Sequence, residues 1–130
     1  MEYEKIDFKY RIIKTFWIQT PMRPDKTVKS TFSTLATNGR LYFIRGFLWN
    51  GADWAKDTKN VMLPSAAHDS GCSMYLKGLI GDKLRREFDD FFKELMDREV
   101  EKGNMAQFRA NYMYKAVKIN TWRRYGIENP

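Results

Sequence analysis

Pro64-Ser65-Ala66-Ala67-His68-Asp69-Ser70-Gly71-Cys72-Ser73-Met74-Tyr75-Leu76-Lys77, closed by Gly78, is the stretch at which the chain changes its periodicity. Before it, apolar residues recur in strand patterns; from it onward they recur in helical ones. Pro64 suits a first helical turn, where its missing N–H costs nothing, and Gly78 suits a helix stop. Gly71 weakens such a helix by about 1 kcal/mol relative to alanine. Helical spacing places Ser65, His68, Asp69 and Cys72 on one face.

Working outward, Asp82 is positioned to cap a second helix that carries Leu84, Phe88, Phe91, Phe92, Leu95 and Met96 on an apolar face and stops at Gly103-Asn104. A third helix, from about Met105 to Trp122, is expected to bury Phe108, Tyr112, Met113, Ala116, Val117 and Ile119 in varying degree. Towards the N-terminus, Ile6, Phe8, Tyr10 and Ile12 alternate with Asp7, Lys9 and Arg11, the period of a half-buried strand. The apolar run continues through Ile13, Phe16, Trp17 and Ile18 until Pro21-Met22-Arg23-Pro24-Asp25 breaks it. Asn38-Gly39, between Thr31–Ala36 and Leu41–Phe47, reads as a two-residue type I′ hairpin. The sum is an α+β fold: a small antiparallel sheet of about three or four strands packed by about three C-terminal helices, as one domain over 1–130.

A chain of 130 residues hides enough surface to fold without a staple. Its single cysteine rules out an internal disulfide and a four-thiolate zinc site. No apolar run reaches the ~20 residues of a membrane-spanning helix. Met1-Glu2-Tyr3-Glu4-Lys5 lacks the basic-then-apolar pattern of a signal peptide. The net charge of +7 is spread along the chain, with small concentrations at Arg85-Arg86, Lys115/Lys118 and Arg123-Arg124. Without a basic arm, a helix-turn-helix or a zinc-finger pattern, nucleic acid is not the favoured partner.

Polar side chains gather at Trp49-Asn50-Gly51-Ala52, Asp57-Thr58-Lys59-Asn60 and His68-Asp69. His68 is the only histidine, and its type titrates near neutrality, so it is the natural proton carrier. The plainer reading is an imidazole tied to a carboxylate that locks helix to loop, since buried polar groups must be bonded in any protein. A His/Asp metal site is the sharper alternative. Cys72 lies one helical turn from His68, within reach as a nucleophile, although a lone cysteine is more often a small buried hydrophobe. Ser65 lacks the Gly-x-Ser-x-Gly elbow. Trp17, Trp122, Arg123, Arg124 and Tyr125 are candidate protein-contact residues, because large aromatics and arginine anchor interfaces.

In their order, Trp49-Asn50-Gly51-Ala52, Asp57-Thr58-Lys59-Asn60, Ser65-x-x-His68-Asp69, Tyr75, Arg86-Glu87-Phe88-Asp89 and Tyr112-Met113-Tyr114-Lys115-Ala116-Val117 resemble the DUF1353 family of small phage and prophage proteins. The resemblance covers roughly residues 40 to 122. It implies a phage context and marks Asp57, His68, Asp69 and Asp89 as recurring polar positions, without supplying an activity. Asp89, set among Phe88, Phe92 and Met96, requires a partner. The resulting expectation is a virion component, a tail- or connector-associated protein that binds other phage structural proteins in multiple copies, found in the virion or in host cytoplasm during infection. Its rivals are a small hydrolase using the Asp57/His68/Asp69/Asp89 cluster, and a phage protein that binds nucleic acid or a host factor. No cofactor is expected, the exception being a divalent metal at that same cluster.

Overall fold

The computed structural model describes residues 1–7, 9–51 and 59–125, the side chains of 120–125 excepted. In chain order the elements are β1 (Tyr3–Ile6), β2 (Lys9–Ile12), β3 (Phe16–Gln19), β4 (Val28–Lys29), β5 (Ser33–Leu35), β6 (Arg40–Phe43), β7 (Leu48–Trp49), α1 (Lys59–Leu76), α2 (Asp82–Glu101) and α3 (Gln107–Tyr125). The α+β architecture is as the periodicity suggests, strands first and helices after. The strands divide into two antiparallel sheets, ordered β1-β2-β7 and β3-β6-β5-β4. None of the described helices is long and apolar enough to cross a membrane.

The alternating run at 6–12 is not one strand. Asp7 takes φ +54°, a left-handed conformation that aspartate tolerates better than most residues, and Ile6 pairs with Lys9 across the reversal. Tyr10 then faces Trp49 of β7, so the short sheet presents Tyr3, Tyr10 and Trp49 as an aromatic cluster with ring centroids 5.5–5.8 Å apart.

The expected hairpin at Asn38-Gly39 forms, but its turn differs. Gly39 N–H donates to the Ala36 carbonyl at 2.9 Å, and Ala36 N–H donates to the Arg40 carbonyl at 2.9 Å, leaving three residues in the loop. Gly39 alone of the pair has positive φ, at +88°, whereas a type I′ turn needs it at both positions. Glycine is needed here for space as well. A Cβ at position 39 would lie 2.6 Å from the Thr20 carbonyl and 2.7 Å from that of Met22.

α1 begins at Lys59, so Pro64 lies within the helix and Lys59 and Asn60 belong to its first turn, not to a loop before it. Its C-terminal end follows the expected stop: Leu79 N–H reaches the Met74 carbonyl at 2.9 Å and Gly78 N–H reaches that of Tyr75 at 3.0 Å, a Schellman closure. α2 ends the same way, with Asn104 N–H on the Glu99 carbonyl at 2.9 Å. Asp82 does not cap α2. Gly81 holds the cap position without a side-chain bond, and the Asp82 carboxylate accepts from the Tyr75 hydroxyl at 2.7 Å.

α2 lies between the other helices. Phe88, Phe91 and Leu95 join α1 and the sheets, while Phe92 and Met96 meet Val61, Met113 and Val117. Among the described side chains of α3 the buried ones are Ala110, Met113 and Val117. Phe108 is 79% exposed, and Tyr112 and Ile119 are exposed too, contrary to expectation. At 3.6 residues per turn those three fall on the face opposite the buried stripe.

Gly71 sits where α1 and α2 come closest: a Cβ there would lie 2.4 Å from Phe88 Cγ. Gly71→Ala should gain about 1 kcal/mol of helix propensity and lose about 1–3 kcal/mol by overpacking. The expected net effect is a lower urea midpoint. A higher midpoint would show that the two helices pack less tightly than described.

Candidate functional site

Two i, i+4 pairs face each other across the α1–α2 contact. α1 supplies His68 and Cys72; α2 supplies Arg85 and Asp89. Asp89 Oδ1 accepts from Arg85 Nη1 at 2.6 Å and from His68 Nε2 at 3.1 Å. Cys72 Sγ lies 3.3 Å from Arg85 Nη2 and 3.8 Å from His68 Nδ1. Arg85 is 0% exposed, Asp89 1% and His68 6%, whereas Cys72 is only partly buried. Phe88, Phe91 and Phe92 of α2 are buried too, and the His68 ring meets Phe92 edge-on at 5.6 Å.

The four groups form a ring in which the Asp89 carboxylate and the Cys72 sulfur alternate with the His68 imidazole and the Arg85 guanidinium, and His68 and Arg85 each touch both. Burial pushes His68 down, but its bonds to Asp89 and Cys72 outweigh this and hold its pKa raised to about 9. Burial alone would raise the Cys72 thiol; the hydrogen bond and charge of His68, then the charge of Arg85, bring it below its ordinary value. Arg85 Nη2 also lies 3.1 Å from His68 Nε2. That approach of two cations works against the imidazolium without reversing the outcome.

His68, Asp69 and Cys72 line a cleft of about 560 Å³. The Ser30–Ser33 segment and Phe47 to Gly51 also line it. Lys77 Nζ donates to Ser30 Oγ at 2.7 Å across one side. Trp49 positions α1 against β7 by donating its indole N–H to Ser65 Oγ at 3.0 Å, while Ser65 itself donates to the Met62 carbonyl at 2.9 Å. Ser65 is therefore a buried joint, with its hydroxyl already committed.

Of the expected site residues, His68 and Asp89 come together. Asp69 lines the same cleft and acts on Cys72 through its charge, opposing the thiolate. Asp57 lies outside the described residues, as do the side chains of Trp122, Arg123, Arg124 and Tyr125. Trp17 is 46% exposed, with the Arg40 guanidinium 4.2 Å above its ring. Among the described residues, no three His, Cys, Asp or Glu side chains are placed to hold a metal ion. Sequence reasoning took Arg85 for part of a surface charge concentration. Its position four residues before Asp89, on the apolar side of α2, was the available signal. No family model, curated protein or solved structure matches this chain.

Because its pKa is raised, His68 contributes stability that is complete below about pH 6.5 and lost as pH rises through about 9. Cys72, shifted down, contributes in the opposite sense. By NMR the His68 ring should titrate near pH 9. In Asp89→Asn the strongest upward influence disappears while burial and Arg85 continue to push down, so the midpoint should fall. An unmoved midpoint would show that the carboxylate is not what holds the proton.

Proposed function

We propose that this chain is a small hydrolase acting on acyl compounds in the cleft beside α1, with His68 as its proton carrier and Asp89 as the group that orients it. The observation that carries this reading is a single imidazole bonded through Nε2 to a buried carboxylate at 3.1 Å, with Nδ1 directed to the cleft-lining Cys72. A histidine held from behind by a carboxylate, with its second nitrogen towards a reactive group, is the arrangement acyl-transfer sites use on unrelated folds. The carboxylate fixes ring orientation and stabilises the charged form; the free side exchanges the proton. Asp69 adds a second carboxylate at the cleft wall.

A metal-assisted variant would draw on Asp69 and His68 of the cleft wall. Asp89 is already bound by a cation, Arg85, and by the imidazole, which favours the metal-free version. The phage context implied by the resemblance to DUF1353 supports a second reading, a virion component that binds other structural proteins. The observation favouring it is the exposed stripe of Phe108, Tyr112 and Ile119 on α3, since large apolar side chains anchor interfaces. Particle mass spectrometry tests that reading, and absence of the protein from purified virions would reject it.

For the hydrolase, p-nitrophenyl acetate and butyrate are suitable probes. The protein should release p-nitrophenol faster than His68→Gln by about 10²-fold or more, with both proteins giving the same circular dichroism. Equal rates in the two would reject the assignment.

A further inference from the structure

We infer that Cys72 is the nucleophile of this site and carries the acyl group as a thioester during each turnover. The inference rests on the hydrolase reading and says how the reaction is divided. Cys72 belongs to a cluster of charged groups at the cleft wall, so it differs from a structural cysteine packed among apolar neighbours. Its sulfur faces two cations on two different helices, His68 of α1 and Arg85 of α2. Of the other charged groups nearby, Asp69 of α1 opposes the thiolate, Asp89 of α2 balances the two cations, and Lys9 of β2 and Lys77 line the cleft with positive charge.

The division of roles follows from proton positions. A histidine that keeps its proton to about pH 9 is not available as a base for water at neutral pH. The thiol, 3.8 Å from Nδ1 and lowered in pKa by His68 and Arg85, shares this proton with the ring, and the sulfur supplies the electron pair that attacks. Arg85 supports this state without competing as an acid, because guanidinium does not deprotonate in proteins. Ser65, the hydroxyl on the same helix face, is bonded to Trp49 and Met62.

In the first half-reaction Cys72 Sγ attacks the acyl carbonyl carbon and a carbon–sulfur bond forms. The bond from that carbon to the leaving oxygen or nitrogen breaks, and His68 Nδ1–H supplies the leaving atom with its proton. In the second, His68, now neutral, takes a proton from water as the water oxygen attacks the thioester carbon. The carbon–sulfur bond then breaks, returning thiolate and imidazolium. The sum is one acyl compound plus one water giving a carboxylic acid and an alcohol or amine, with no oxidant or reductant.

The chain has a single cysteine, so thiol alkylation reports on position 72 alone. Two measurements test the inference. In the first, the rate of alkylation by iodoacetamide should fall far less between about pH 8 and about pH 6 than that of N-acetylcysteine, which loses about tenfold per unit there. His68→Gln should restore the steep dependence. In the second, quenched turnover of p-nitrophenyl acetate should leave one acetyl group on wild type that is missing from Cys72→Ala, and Cys72→Ser and Cys72→Ala should both lose turnover while keeping the wild-type circular dichroism spectrum. Turnover retained in both variants, with no adduct in wild type, would overturn the cysteine assignment and leave the hydrolase standing. No turnover above His68→Gln would remove the hydrolase reading, and this inference with it. Alkylation that tracks N-acetylcysteine across the pH range would overturn the thiolate.

Discussion

Arg85 carries a full positive charge into a place where water does not reach it. A buried guanidinium is tolerated only when anions and acceptors surround it, and here a carboxylate comes from its own helix and a cysteine sulfur from the neighbouring one. Asp89 is the fixed partner, four residues along α2 at 2.6 Å. The second contact, to Cys72 on α1, is what makes the arrangement consequential. After the larger effect of the adjacent His68, it helps hold the thiol's pKa below its ordinary value. One buried cation thus connects the packing of two helices to the chemistry of the cleft between α1 and the strands.

The backbone supports that connection at two points. Gly71, one residue before Cys72, lets Phe88 press against α1, which brings Arg85 and Asp89 within reach of His68 and Cys72. Trp49, at the end of the short sheet, fixes the other side of α1 through Ser65. The helix is held from both directions, so the residues at i, i+3, i+4 and i+7 divide their tasks. Ser65 anchors, His68 and Cys72 join the charged ring, and Asp69 faces the cleft.

Much of the fold was legible because it depends on periodicity. The Phe88–Met96 stripe, the Gly78 and Gly103 stops and the strand–helix order all follow from local spacing. The departures arose where a neighbour decided the outcome. Asp7 breaks an alternation that reads as continuous, because the reversal is needed to bring β2 between β1 and β7. Phe108 and Tyr112 look like core residues by composition, yet α3 can bury only one face and Ala110, Met113 and Val117 take it. Asp82 has the chemistry of a cap and instead bonds Tyr75. At the site, His68 and Asp89 were identifiable from residue type and context. Arg85 was not, since in sequence a buried arginine looks like a solvated one, and Cys72 read as a small buried hydrophobe because its contact with Arg85 comes from another helix.

The account stands on the interdependence of Arg85 and Asp89 across this buried contact. A double-mutant cycle with Arg85→Met and Asp89→Leu, read by urea unfolding, measures it directly. Each single change leaves a charge uncompensated and should cost about 3–5 kcal/mol, whereas the double change, which removes both, should cost no more than either alone. Losses that simply add, to within about 0.5 kcal/mol, would mean the two groups do not depend on each other, and the charged ring would not exist as described.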